Sequence, residues 1–214
     1  MPKNPKRLIV EGGDDLHSVV GLMRAHVQWP EQVDQAPVYI EIGKSADEIL
    51  QIGYISTKLK DREVQTLGIM LDADTKLKGR YERIRNQCLT LFPALPKDLP
   101  VSGLVAENLE QKRVGVWIMP DNASEGSIEM FLRYLVPNES EPVWKHATES
   151  VARALEMGAP CRNSHIPKAN LYTWLAWQDP PGQSPGIALT KKILDPHSPT
   201  ADVFVHWFRT LYEL

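Results

Sequence analysis

Met70-Leu71-Asp72-Ala73-Asp74 carries the chain's clearest chemical pattern, an apolar run ending in two carboxylates one residue apart. In extended backbone, residues i and i+2 face the same way, roughly 7 Å apart, so Asp72 and Asp74 are expected to project together from a strand end. Two like charges that close call for a cation. The plainer alternative is a polar turn from Asp72 to Thr75 with a helix cap, because Asp is common in both settings. The preceding Leu67 to Leu71 is the mostly hydrophobic run of a strand buried on both faces of a parallel sheet. Carboxylates at the C-terminal edge of such a sheet sit where open α/β folds bind their ligands.

Two other apolar runs end in the same manner. Arg7-Leu8-Ile9-Val10 leads into Glu11-Gly12-Gly13, and Arg113 to Met119 leads into Pro120-Asp121-Asn122. One such acid is usually a turn residue, but Glu11, Asp72 with Asp74, and Asp121 at three matching strand ends read as one acidic edge. Asp15 lies four residues after Glu11, one helical turn inward and able to point back at it. The glycine pair Gly12-Gly13 belongs to neither GxGxxG nor GxxxxGK[ST], so it is not read as a nucleotide cradle. Cys88 and Cys161 form no CxxC, and no pair of the six histidines has the spacing of a zinc motif.

The elements that would position these acids follow from periodicity and turn residues. Strands are expected at Arg7–Val10, Val38–Gly43 and Leu67–Asp74, with helices between them: one capped by Asp14 with Leu16, Val19, Val20, Leu22, Met23 and Val27 on its apolar face, and one from Ala46 to Leu59. Strands alternating with such helices mark βαβ units and a parallel sheet. A helix from Gly79 to Phe92 follows, the most basic segment, with Lys76, Lys78, Arg80, Arg83 and Arg85. It reads as a solvated face beside acidic neighbours rather than a phosphate-contacting patch. Gly103–Glu107 and Arg113–Met119 suit an antiparallel hairpin. After Gly126 comes a helix with Glu129 on its first turns, and four helical segments fill the rest of the chain. Trp144, Trp174, Trp177, Trp207 and Phe208 are expected in the core rather than on a base-stacking platform. The expectation is α/β: a mainly parallel sheet with flanking helices over residues 1–136, and a helical C-terminal extension, 137–214, packed on it as one unit.

Composition sets the outer bounds. With 214 residues, 43% hydrophobic and 24% charged, the chain can bury one sizeable core. A formal charge of -3 excludes a strongly basic nucleic-acid coat, so nucleic-acid contact would be local or metal-assisted. The N-terminal segment carries too short an apolar run for a signal peptide, and no run approaches a membrane span. A cytoplasmic protein with reduced thiols and no membrane contact is expected.

Together these residues resemble the Toprim superfamily, the metal-binding domain shared by topoisomerases, bacterial primases and several nucleases. Its pattern is a strand ending in glutamate and glycine, matched by Val10-Glu11-Gly12, then a strand ending in Asp-x-Asp, matched by Leu71-Asp72-Ala73-Asp74-Thr75. Within it the chain is most similar to small stand-alone Toprim proteins of unknown function, related to the OLD-type (overcoming lysogenisation defect) nucleases. Those also carry an acid where Asp15 stands. Met119 to Asn122 through Gly126 and Glu129, and Lys168-Ala169-Asn170-Leu171 through Ala176, look like the same group.

The resemblance implies a Mg²⁺- or Mn²⁺-dependent site handling nucleic-acid phosphodiesters, DNA before RNA. Hard divalent cations want carboxylate oxygens and need neither histidine nor cysteine. It implies metal binding by Glu11, Asp72 and Asp74, with Asp15 and Asp121 for a second ion. Glu11 inherits a role as general base or acid, and Lys168 one in offsetting charge on the phosphate. No zinc-binding primase module, catalytic-tyrosine domain or ATPase is attached, which speaks against primase and topoisomerase activity. The leading expectation is a nuclease working with a separately encoded ATPase in defence against phage or foreign DNA. The competing ones are a non-catalytic Toprim interaction or regulatory subunit and, needing a closed pocket, a small-molecule phosphohydrolase. Whether the chain forms a homo-oligomer stays open.

Overall fold

Strands β1 (Lys6–Val10), β2 (Tyr39–Ile42), β3 (Thr66–Asp72), β4 (Leu104–Glu107) and β5 (Arg113–Met119) form one sheet in the order β2-β1-β3-β5-β4. The first four in that order run parallel, and β4 is antiparallel to β5, as the hairpin pattern requires. This computed structural model describes residues 4–214; Met1 to Lys3, the start of the segment read as too short in apolar residues for a signal peptide, lie outside the described residues. From Thr66 to Leu71 every residue of β3 is buried, as is every residue of β5 after Arg113. That is the signature of central strands covered on both faces. The protein is α/β, with a mainly parallel sheet flanked by helices.

The pleat sends alternate residues into two separate cores. Ile9, Ile69, Leu71 and Ile118 pack under α2 (Ala46–Ile49), α3 (Tyr54–Lys60) and α4 (Leu77–Cys88). Leu8, Val10, Met70, Trp117 and Met119 face the other layer. Its helices are α1 (Gly13–Met23), α5 (Ile128–Arg133), α6 (Glu141–Glu156), α7 (Ile166–Leu175), α8 (Pro185–Thr190) and α9 (Pro199–Tyr212). From residues 137–214, α9 packs directly on β3, β4 and β5, while α7 and α8 pack on α5 and α1 and α6 packs on α7. Helix α9 approaches closely where Gly68 and Gly115 pair across β3 and β5. A Cβ there would come within 2.3 Å of the Tyr212 hydroxyl and 2.4 Å of Leu211 Cδ2, respectively. Tyr212 donates to the Arg7 carbonyl at 2.8 Å and Trp207 Nε1 to that of Leu104 at 2.9 Å. Among the described residues no helix is long and apolar enough to cross a membrane.

Three local expectations are corrected. The helix read from Ala46 to Leu59 is two short ones, because the chain turns at Gln51 to Gly53 and Gly53 takes a left-handed conformation (φ 92°). Helix α1 is capped by Gly12, not Asp14, and it ends at Met23, so Val27 lies beyond it. Trp144, Trp174, Trp207 and Phe208 are buried, but Trp177 is 47% exposed and stacks on His146 at 5.2 Å between ring centroids. Trp177 falls two residues past the end of α7, where the periodicity that buries Trp174 no longer holds.

Helix α1, which carries Asp14 and Asp15, is pressed against α8 at Gly21. A Cβ on Gly21 would meet the Gly186 carbonyl oxygen at 2.4 Å, a backbone atom with little freedom to yield. Gly21→Ala is expected to cost about 1 to 3 kcal/mol or more, as overpacking does. Gly13→Ala, where nothing lies within 4 Å, should melt like the wild type. Equal melting temperatures for the two variants in thermal denaturation would show that the α1–α8 contact is loose.

Candidate functional site

Because β1, β3 and β5 are parallel neighbours, their C-terminal ends open on one edge of the sheet, and α1 begins at once after Gly12. A cleft of about 420 Å³ forms there, lined among others by Glu11, Asp14, Asp15, Asp72, Glu129 and Lys168. Each element contributes by position: Glu11 and Asp72 from strand ends, Asp14 and Asp15 from the first turn of α1, Glu129 from that of α5, Lys168 from α7. Five acidic side chains face two lysines, Lys44 and Lys168.

Main-chain N–H groups hold the inner carboxylates in place. Glu11 Oε1 accepts from the Asp72 N–H at 2.8 Å, and its Oε2 from that of Ala46 at 3.1 Å. Asp72 Oδ1 accepts from the Ile128 N–H at 2.8 Å, so the start of α5 is tied to the end of β3. Asp15 Oδ2 accepts from the Gly12 N–H at 2.8 Å, closing the first turn of α1. Held this way, the acids cannot swing apart to relieve repulsion.

The electrostatics reflect that confinement. Burial, then the charges of Asp15, Glu11 and Glu129, push the Asp72 carboxyl up to about 9. Burial and the charges of Glu11 and Glu129 push Asp15 to about 7, against the Gly12 N–H bond. Glu11 is raised too, its burial outweighing the N–H bonds from Asp72 and Ala46 and the nearby Arg80. These all-oxygen donors are of the kind a hard divalent cation takes, although among the described residues no three of them bring their ligand atoms within 4.8 Å of one another.

A family model described as "Protein of unknown function (DUF3226)" matches residues 5–213. The chain belongs to this family. No curated protein and no solved structure matches it. The DUF3226 match covers both layers of the sheet and every residue that lines the cleft.

Of the acids expected at the site, this DUF3226 chain gathers Glu11, Asp15 and Asp72, and Lys168 reaches the same cleft. Asp74 does not project with Asp72. The strand stops at Asp72 and Asp74 takes positive φ (47°), so the i, i+2 rule for extended backbone lapses there. Its N–H and carbonyl pair with Gly126 at 2.7 and 2.8 Å, and its carboxylate is bound by Arg80 in an adjoining groove. Asp121 also turns away: its Oδ1 accepts from the N–H groups of Ala123 and Ser124 and its Oδ2 from the Ser124 hydroxyl. It is an Asx turn shaping the β5–α5 loop.

Two residues with structural weight at the site were not assigned a part in it from sequence. Glu129 takes the place expected of Asp121, its Oε2 accepting from the Ser127 hydroxyl at 2.6 Å. The available signal was its position in the first turn after Gly126. Arg80 is 12% exposed and binds the Glu11 carboxylate at 3.2 Å, the Asp72 carbonyl and the Asp74 carboxylate. Its neighbours Arg83 and Arg85 donate to the carbonyls of Leu50 and of Leu95 and Pro96. The basic helix thus spends its guanidinium groups on internal partners, while Lys76 and Lys78 remain exposed. At the cleft's rim Lys168 Nζ meets Asp14 Oδ2 at 2.6 Å, which holds the ammonium pKa above its ordinary value.

Proposed function

We propose that the chain is a Mg²⁺- or Mn²⁺-dependent phosphodiester-cleaving enzyme of the Toprim kind, a nuclease with the acidic cleft as its active site. The observation that carries this reading is Asp72: a half-buried residue whose carboxyl is held by the backbone among Glu11, Asp15 and Glu129, with its pKa pushed to about 9. A divalent cation turns that mutual repulsion into shared coordination. Asp72, Asp15 and Glu11 would hold the ion, and Glu129 extends the set. Bound there, the metal supplies charge that polarises a phosphodiester and acidifies a water.

The chain's own groups account for the remaining needs. Glu11, at the end of β1 and with its pKa raised by burial, suits a base that takes a proton from the attacking water. Lys168 stands at the rim, paired with the partly exposed Asp14 and 5.7 Å from the centroid of the Tyr172 ring, so an arriving phosphate oxygen can compete for its ammonium and have its charge offset. Asp74 would join the metal set only by exchanging Arg80 for it. A separately encoded ATPase partner and a role against phage or foreign DNA rest on the likeness to OLD-type proteins.

One observation favours the non-catalytic reading. Arg80 already pairs with Glu11 and Asp74 from within the protein, which is how a metal-free scaffold would offset part of its charge. The deciding experiment is cleavage of supercoiled plasmid, and of labelled single-stranded DNA and RNA, with Mn²⁺ or Mg²⁺ and with Asp72→Asn as control. Cleavage by wild type that vanishes in the variant is expected. Absence of cleavage of any substrate with either metal would overturn the stand-alone nuclease and leave an interaction subunit.

A further inference from the structure

A second cluster of metal-ligating side chains lies between the turn after α1 and the start of α9, away from the acidic edge. His26, in the turn after α1, His197, just before α9, and Asp202, in its first turns, each offer one ligand atom, and these atoms all lie within 4.8 Å of one another. The His26 and His197 rings meet edge to face at 4.7 Å between centroids. His26 Nε2 lies 2.8 Å from the Pro196 carbonyl oxygen. A carbonyl only accepts, so Nε2 carries the hydrogen and Nδ1 presents the ring's lone pair. With Nδ1 as the ligand atom, the backbone carbonyl on Nε2 is the arrangement that orients histidine ligands in metal sites.

The surroundings leave room for an ion. A cavity of about 510 Å³ opens beside the cluster, lined by His26, Asp202, His206 and Arg209 among others. The one permanent cation in that lining, Arg209, has its Nε committed to the Leu214 carbonyl at 3.1 Å. The His197 backbone is fixed by its N–H bond to Asp195 Oδ1 at 2.9 Å, and Ser198 caps α9 beside it. Two imidazoles with one carboxylate suit Zn²⁺ and related transition ions; Mg²⁺ prefers oxygen alone.

We propose that His26, His197 and Asp202 form a second metal site, taking Zn²⁺ or a similar transition ion, that clasps α9 to the turn after α1. Water on the cavity side completes the coordination. The clasp ties the helix lying on Gly68 and Gly115 to the helix that carries Asp14 and Asp15, so the ion stabilises the layer that backs the acidic cleft.

The test is calorimetric titration with Zn²⁺ under excess Mg²⁺, which occupies the carboxylate cleft, together with thermal denaturation. One tight Zn²⁺ site is expected. Metal at about 100 times its dissociation constant should raise the melting temperature by roughly 5 to 10 °C. His197 and Asp202 are exposed, so His197→Ala and Asp202→Asn should fold. Each should weaken Zn²⁺ by at least about tenfold, the lower end of what losing even an outer partner costs a metal site. His146→Ala, at a histidine stacked on Trp177 instead, should bind as wild type does. Wild type that takes up no Zn²⁺ in the presence of Mg²⁺, or binding unchanged in both His197→Ala and Asp202→Asn, would overturn the proposal.

Discussion

Asp72→Asn is expected to melt higher than the wild type when no metal is present at about pH 8, by roughly 2 to 10 °C, while losing metal-dependent cleavage and metal-induced stabilisation. The substitution keeps the oxygen that accepts from the Ile128 N–H and removes a group whose ionisation burial and three neighbouring acids oppose. About 1 to 3 kcal/mol is the scale of relieving one poorly compensated buried polar group. The sign with pH follows from linkage. The carboxyl titrates near 3.8 when unfolded and near 9 when folded, so between these values the native state holds more protons than the unfolded chain. Its contribution is full below about 4 and is lost as pH rises towards 9; Asp15 behaves likewise up to about 7. The variant's advantage should therefore grow as pH rises, and Mg²⁺ or Mn²⁺ should close the gap by stabilising only the wild type. A gap independent of pH, or wild type indifferent to both metals, would show that the acids are not held in mutual conflict.

Trp174→Ala should destabilise by about 3 to 5 kcal/mol, a fall in melting temperature of roughly 6 to 20 °C. The indole is fully buried, 6.2 Å from the Trp144 ring, inside the core that joins α5, α6 and α7 to the sheet. Lys168 rides on the same helix and pairs with Asp14, so loosening α7 should also blunt the cleft. Trp177→Ala, at an exposed ring, should change stability by well under about 1 kcal/mol. Thermal or denaturant unfolding separates the two. A small loss at Trp174 would mean that α7 is not docked as a core helix and would return its aromatic rings to use as a stacking surface.

What was legible in the chain was local. Leu67 to Leu71, Arg7 to Val10 and Arg113 to Met119 declared themselves as strands because burial on a pleated sheet demands apolar runs of that length. Their order with the intervening helices implied the parallel sheet and placed Glu11 and Asp72 on one edge. The single helix from Ala46 to Leu59 failed at Gly53, since an apolar period does not register one left-handed residue that redirects the chain.

The amino-acid sequence by itself determined the α/β class, the strand ends that bear Glu11 and Asp72, and the nearby Asp15, because each depends on patterns a few residues long. Only the tertiary structure decided which acids meet. Positive φ at Asp74 and the Asx turn at Asp121 took both out of the cleft, and the start of α5 brought Glu129 in. Lys168 met Asp14 across 154 positions, and His26 met His197 and Asp202 from opposite ends of the chain. Spacing governs direction only while the backbone stays regular; past the last residue of a strand, loop dihedrals and the docking of distant helices set where a side chain points.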